Sequence, residues 1–259
     1  MAAEQLSDKE FMRYSAQLML PDIGERGQLA LRSARVLIVG VGGLGSPVAL
    51  YLAAAGVGHI YLADDDKVEL SNLQRQIVYN QHQLQQHKVV AAQQNLAQLN
   101  PHIRVTMIKQ RLAVDNLAHI VSVVDLVIDC SDNMATRQAI NASCVQQQTA
   151  LIVGAGIGFE GQLISFDASN VDSACYHCLF PFSSDEAPRN CATSGILGPI
   201  VGTIGSLQAL EAIKYLTGMT VSSFNRLMRF DGINLQWQNL SISRNTDCQV
   251  CSGVGQLQE

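Results

Sequence analysis

The chain has 259 residues, of which 47% are hydrophobic and 15% are charged, and its formal net charge is −5. This length and composition are enough to bury a sizeable core in one large α/β domain or in two small ones. The acidic balance argues against a nucleic-acid partner, because affinity for nucleic acid depends largely on lysine and arginine neutralising phosphates.

The N-terminus lacks a basic region followed by an uninterrupted apolar stretch, so the sequence predicts no signal peptide. The most apolar stretch, residues 195–210, is interrupted by Pro199 and Thr203 and runs into Glu211, which favours a buried helix over a membrane span. Seven cysteines, an odd number, indicate reduced thiols and metal ligation. We therefore expect a cytoplasmic protein without a membrane partner.

Along the chain, a capping-box pattern at Ser7 and Glu10 predicts an amphipathic helix in an N-terminal helical segment, residues 1–34. Beyond it, apolar runs alternate with helix-forming segments, as is typical of a parallel sheet wrapped by helices. The strands are predicted at 36–39, 59–63, 103–108, 124–129 and 150–153, and the helices at 44–55, 88–99, 114–121 and 133–148.

The last third of the chain has a different pattern. Residues 161–167 and 226–243 alternate apolar and polar side chains, as half-buried antiparallel strands do. Residues 168–194 hold few apolar side chains, so we predict a mobile crossover loop near the active site. The prediction is a single domain, residues 1–259, with an α/β Rossmann-like nucleotide-binding fold and a mixed sheet that is parallel in its N-terminal half and antiparallel in its C-terminal strands.

A glycine-rich turn follows the first predicted strand. Gly40, Gly42, Gly43 and Gly45 match the pattern GxGxxG between a strand and a helix, and Asp64 ends the next strand. Glycines let backbone amides approach a phosphate, and an acid at that distance can bind ribose hydroxyls. The turn predicts a nucleotide site, although glycines needed only for packing would give the same pattern. Alone, it would favour NAD or FAD and an oxidoreductase.

Two CxxC pairs, Cys175 with Cys178 and Cys248 with Cys251, supply the four sulfurs of a closed tetrahedral zinc site. Such a site keeps no open position, so we assign the zinc to folding rather than to reaction with substrate. His177 lies inside the first pair and is an alternative ligand, but the paired symmetry favours four cysteines.

Charged residues follow the ends of successive predicted strands, where the ligand crevice of a parallel sheet lies. The segments are 64–66, 70–76, Lys88 and 129–133. Together with the glycine turn and the paired cysteines, they closely resemble the ubiquitin-activating-enzyme-like family represented by ThiF, MoeB and HesA, over nearly the whole chain. Residues 11–15, 62–66, 132–138 and 230–232 look more like ThiF than MoeB.

The resemblance implies an ATP-dependent adenylyltransferase that activates the C-terminal glycine carboxylate of a sulfur carrier of the ThiS type, for thiazole synthesis in the thiamine pathway; the alternative is a MoaD-type carrier in molybdopterin synthesis. It implies catalytic roles for Arg75 and Lys88 on the ATP phosphates and for Asp132 on Mg²⁺. A carboxylate is already ionised at neutral pH, so its attack on phosphorus needs alignment and charge compensation more than a base. The expected nucleotide-binding residues are Arg13, Gly40, Gly42, Gly43, Gly45, Asp64, Asp66, Ser71, Asn72, Arg75, Lys88, Asp132 and Asn133.

The resemblance also implies a homodimer, a carrier tail ending in Gly-Gly, and a sulfurtransferase or cysteine desulfurase as sulfur source. Cys191 matches a family cysteine that can join covalently to the carrier, and Arg189 could lower its pKa. One departure is Ala16, where the family usually has an arginine that reaches the partner subunit's ATP. Loss of such an arginine can cost about a thousandfold in rate, which leaves open a scaffold that binds nucleotide and carrier without efficient chemistry.

Overall fold

The computed structural model describes residues 5–181 and 195–252. The helices are α1 Asp8–Leu18, α2 Gly24–Ser33, α3 Gly45–Ala55, α4 Lys88–Leu99, α5 Val114–Val121, α6 Met134–Gln147, α7 Tyr176–Leu179 and α8 Gly198–Leu216. The strands are β1 Arg35–Val39, β2 His59–Ala63, β3 Arg104–Ile108, β4 Leu126–Asp129, β5 Ala150–Ile157, β6 Glu160–Phe166, β7 Arg226–Asp231 and β8 Gln236–Ser241.

The eight strands form one sheet in the order β3-β2-β1-β4-β5-β6-β7-β8. The pairs from β3 to β5 are parallel, and those from β5 to β8 are antiparallel. This confirms the predicted α/β fold with a mixed sheet. The alternating segment 226–243 becomes a hairpin, because the Asp231 carboxylate accepts the N–H groups of Ile233 and Asn234 and closes a turn between β7 and β8.

The core lies on both faces of the sheet because β1 is apolar at every buried position. Its alternate side chains point to opposite faces. Val36 and Ile38 pack with side chains from α2, α3, α4 and α8, whereas Leu37 and Val39 pack with side chains from α5, α6 and α7. In the part of the chain that the structure describes, no helix is both long and apolar enough to cross a membrane.

The strand order places a ligand crevice at the carboxyl end of β1. The chain passes from β1 to β2 on one side, and later returns to place β4 on the other. Such a switch point is where open α/β sheets bind their ligands. The segments that leave β1, β2 and β4 here begin with Gly40, Asp64 and Cys130.

The predicted mobile loop, 168–194, is described only in part. Its first residues contain the short helix α7, which the sequence did not predict and which carries Cys178. Residues 182–194, which include Arg189 and Cys191, lie outside the described residues.

Candidate nucleotide site and cysteine cluster

The glycine turn requires glycine at two positions for packing alone. Gly40 has a φ of +86°, and a Cβ there would lie 2.7 Å from the carbonyl oxygen of Cys130. A Cβ on Gly45 would collide with the carbonyl of Gly40. For these two glycines the packing interpretation of the motif is sufficient.

The middle of the turn is different, since it leaves backbone donors free. Within residues 5–181 and 195–252, no protein acceptor pairs with the N–H groups of Gly42, Gly43 and Leu44. Leu44 is the N-cap of α3 and provides no side-chain cap. Within 4 Å, a Cβ on Gly42 would have one neighbour in the described part of the chain, the Gln76 amide at 3.6 Å. Free N–H groups at the positive end of a helix form an anion-binding site.

Two side chains fix the position of this turn through Val41. The Asp64 carboxylate accepts a hydrogen bond from the Val41 N–H at 2.8 Å. The Tyr79 hydroxyl donates to the Val41 carbonyl at 2.7 Å. Burial raises the pKa of Tyr79, so its hydroxyl remains a protonated donor. Tyr79 had no predicted role, because no local pattern indicates a contact between residues so far apart in sequence.

Lys88, at the first residue of α4, is held by the predicted acids. Its Nζ lies 2.7 Å from Asp66 and 4.0 Å from Asp64. The side chains of Lys88 and Asp64 are buried, whereas that of Asp66 is 67% exposed. Burial raises the pKa of Asp64, and the positive charge of Lys88 opposes that rise. The structure thus brings these three residues together beside the turn, with Lys88 bound to carboxylates.

Arg75 lies beside Gly43 of the turn. Its Cγ is 3.5 Å from where a Cβ on Gly43 would stand, and its guanidinium donates to the Ser71 carbonyl at 3.1 Å. Asn72 is buried and accepts the Glu69 N–H at 3.3 Å, which closes the short turn that positions Arg75. Ser71 is exposed.

The segment after β4 presents Asp132 at the surface. Asp132 is exposed, and its carboxylate has no hydrogen-bond or ion-pair partner among the residues that the structure describes. The next residue, Asn133, caps α6 by accepting the Thr136 N–H at 2.9 Å. The buried Arg137 donates to the carbonyls of Ser131 and Gly154, at 2.6 and 3.0 Å, and so holds this segment against β5.

Arg13 does not reach the crevice of its own chain. Its guanidinium donates to the carbonyl of Leu99 at 3.0 Å. Leu99 ends α4, which begins at Lys88, so about 18 Å of helix separates the two sites. The crevice of its own chain therefore does not hold Arg13, and its role at the nucleotide stays a prediction.

The four cysteines of the CxxC pairs converge as predicted. The sulfur of Cys175 lies 3.9 Å from that of Cys178 and 3.7 Å from that of Cys248, and the Cys178 and Cys251 sulfurs are 3.5 Å apart. A tetrahedron of zinc–sulfur bonds of about 2.3 Å requires about 3.8 Å between sulfurs. The set therefore fits a tetrahedral metal ion.

The surroundings of the cluster agree with four cysteine ligands. His177 points away, since its Nδ1 lies 3.0 Å from the Gln138 side-chain oxygen. Burial raises the pKa of Cys175 and Cys251, so a bound cation is needed to keep these groups as thiolates. Cys130 and Cys144 are buried elsewhere in the core, and burial raises the pKa of both thiols.

The geometry defines a Rossmann-like α/β protein with an anion-binding turn at its switch point and a separate cluster of four cysteines. The profile of the ThiF family matches residues 14–250, and the chain belongs to this family. An Escherichia coli K12 protein named sulfur carrier protein ThiS adenylyltransferase is 49% identical over 248 residues, covering 96% of this chain and 98% of that protein.

Two further comparisons are more distant. A Drosophila sechellia protein named adenylyltransferase and sulfurtransferase MOCS3 is 42% identical over 250 residues, and the match covers 96% of this chain but only 55% of that protein. A crystal structure of E. coli MccB with MccA-N7isoASN superposes with a TM-score of 0.82 at 22% identity, covering 93% of this chain and 74% of that chain. At that identity the structural match bears on the fold alone.

Proposed function

We propose that this protein is an adenylyltransferase that uses ATP to activate the C-terminal glycine carboxylate of a ThiS-type sulfur carrier. The observation that carries the proposal is the glycine turn, where the N–H groups of Gly42, Gly43 and Leu44 have no acceptor among the described residues. Two cations, Arg75 and Lys88, lie beside this turn. The name of the E. coli relative supports the choice of reaction and carrier. The oxidoreductase alternative gives Arg75, Lys88 and Asp132 no role.

The reaction joins a carboxylate oxygen of the carrier to the α-phosphorus of ATP. The bond from that phosphorus to the bridging oxygen breaks, and pyrophosphate leaves with the electron pair. The turn amides and Arg75 bind phosphate oxygens and hold the phosphorus in line with the attacking oxygen. Lys88 joins them when a phosphate competes with Asp66 for its ammonium, which the exposure of Asp66 to solvent allows.

Asp132 is the residue we assign to Mg²⁺. Carboxylate oxygens are the ligands that Mg²⁺ prefers, and this carboxylate is exposed without a competing partner in the described parts of the chain. When bound, Mg²⁺ neutralises charge on the phosphates and on the departing pyrophosphate. Asp64, with both oxygens hydrogen-bonded to backbone N–H groups, fixes the turn and remains available to ribose hydroxyls.

The carrier would dock beside the crevice on an exposed apolar surface. β5 and β7 run parallel to β1, so the turns after them lie at the edge of the sheet that holds the glycine turn. Hydrogen bonds join Gly232 to Phe159 and Leu197 to Gly158, which keeps these turns together. The apolar surface consists of exposed Ile157, Phe159, Leu197, Ile233 and Leu235. A surface of this kind suits a folded partner whose flexible Gly-Gly tail enters the crevice.

The remaining parts of the proposal are a single domain over residues 1–259, a structural zinc ion on the four cysteines, a homodimer in the cytoplasm, and sulfur delivered by a sulfurtransferase or cysteine desulfurase. The zinc ion would join the C-terminal segment to the segment that holds α7, because each contributes one CxxC pair. Cys191 is proposed as the acceptor that joins the carrier covalently during sulfur transfer.

The test is pyrophosphate release from Mg-ATP with purified ThiS-type carrier. We expect release that requires the carrier and falls at least a hundredfold in Asp132→Asn, while the matched change of an exposed acid, Asp172→Asn, has no effect. Absence of release in the natural chain despite ATP binding would contradict the proposal and favour the scaffold alternative that Ala16 raises.

A further inference from the structure

Gln76 has a buried side chain to which the proposed reaction assigns no role. It is only 4% exposed, and its Oε1 has no hydrogen-bond partner among the residues that the structure describes. Its backbone is fixed, because its N–H donates to Asn72 at 2.9 Å and its carbonyl accepts from Tyr79 at 3.1 Å. In the described parts of the chain its side chain forms no hydrogen bond. Buried amides are normally paired. Oε1 is an acceptor that a phosphate cannot pair, so the end of this amide available to a phosphate is the donor Nε2.

The amide of Gln76 faces the open side of the glycine turn. Its Nε2 lies 3.6 Å from the position of a Cβ on Gly42, and among residues 5–181 and 195–252 nothing else stands within 4 Å of that position. By contrast, the corresponding position at Gly43 is filled by Val201. The approach over Gly42 is therefore the one where a ligand can come close to the free N–H groups, and Gln76 borders it.

We propose that Gln76 is a catalytic residue that donates a hydrogen bond from Nε2 to the phosphate oxygen of ATP resting on Gly42. Phosphate oxygens only accept hydrogen bonds, so Nε2 is the end of the amide that faces them. The donor is neutral and is placed by a fixed backbone, which suits it to orient the phosphate while Arg75 and Lys88 supply charge. This inference rests on the proposed function, since it names a further residue of the same site.

The experiment compares Gln76→Ala and Gln76→Glu with the natural chain and with Gln74→Ala, an exposed glutamine two positions earlier. The measurements are the kcat and KM for ATP in carrier-dependent pyrophosphate release, the Kd for ATP without carrier, and the Tm without ligands. We expect kcat/KM for ATP to fall on the order of a hundredfold in Gln76→Ala. In Gln76→Glu the fall is larger, because a carboxylate repels phosphate. The Gln74→Ala control remains within about twofold. The Tm of both Gln76 variants falls by some degrees, because the side chain is buried and its replacement leaves a cavity in Gln76→Ala and a buried carboxylate in Gln76→Glu. All kinetic and binding measurements are therefore made well below the Tm of each variant.

Two results would overturn the inference. One is a Gln76→Glu variant that keeps the natural kcat/KM and ATP affinity. The other is a loss of activity that is equal in Gln76→Ala and Gln76→Glu and leaves the Kd for ATP of both variants unchanged, which would indicate a structural role. If the natural chain itself released no pyrophosphate, the proposed function would fail, and the ATP affinities of the variants would still decide whether Gln76 contacts the nucleotide.

Discussion

Tyr79→Phe removes one hydroxyl and tests whether the glycine turn is held in place from outside. The hydroxyl is buried and donates to Val41 at 2.7 Å, and the substitution keeps the ring. The Val41 carbonyl would lose its partner, which costs about 1–3 kcal/mol for a buried group. Asp64 would still hold the Val41 N–H. If about 1.4 kcal/mol of that cost falls on the position of the turn, ATP affinity drops about tenfold.

The assay is calorimetric titration of Mg-ATP together with thermal unfolding, with Tyr51→Phe as control because Tyr51 is an exposed tyrosine on α3. We expect Tyr79→Phe to bind ATP about three to ten times more weakly and to unfold a few degrees earlier, at about 2–4 °C per kcal/mol for a chain of this size. An unchanged ATP affinity in Tyr79→Phe would refute the argument that Val41 must be held from both sides for the turn to bind phosphate.

Three further predictions concern the cysteine cluster, a buried acid and the apolar surface. Cys248→Ser should lower the zinc content measured by atomic emission from one ion per chain and cause unfolding at lower temperature, whereas Cys144→Ser should keep its zinc; a stable, zinc-free variant would contradict the structural role. The stability of Asp129→Asn, relative to that of the natural chain, should increase as pH is raised from about 4 to 8. Burial raises the pKa of Asp129, as does nearby Asp132, so the folded natural chain favours the protonated acid. As pH rises through the raised pKa, the natural chain loses this stabilisation and the Asn variant does not. Denaturant unfolding at several pH values measures this, and a difference independent of pH would count against it. Ile233→Asp should raise the KM for the carrier about tenfold or more with no change in the KM for ATP. Steady-state kinetics with each substrate varied measures both constants, and an unchanged KM for the carrier would show that the apolar surface plays no part in docking.

The sheet could be predicted well because its strands are short apolar runs in a fixed rhythm with helices. β1 illustrates this, since residues 36–39 are apolar and every one of them is buried. The N-terminal capping box was also correct, and Ser7 and Glu10 exchange hydrogen bonds at the start of α1. These features depend on neighbours in sequence, and a single chain contains that information.

Contacts between distant residues were harder to foresee. The sequence placed Asp64, Arg75 and Lys88 near the glycine turn, but it gave no indication that Lys88 would be bound by Asp66 or that Tyr79 would hold Val41. The CxxC pairs are the exception, because metal-ligand spacing identifies them despite their distance in the chain. The position of Arg13 could not be predicted, because its distance from the crevice depends on how α1 packs against the end of α4.

Pyrophosphate exchange into ATP isolates the adenylylation of the carrier. Labelled pyrophosphate enters ATP only if the acyl-adenylate forms reversibly, so the assay reports that step without sulfur transfer. We expect exchange with Mg-ATP and a ThiS-type carrier, much weaker exchange with a MoaD-type carrier, and none with a carrier lacking its terminal glycine. Exchange with the MoaD-type carrier alone would move the protein to molybdopterin synthesis, and exchange with neither carrier, despite ATP binding, would contradict the proposed adenylylation.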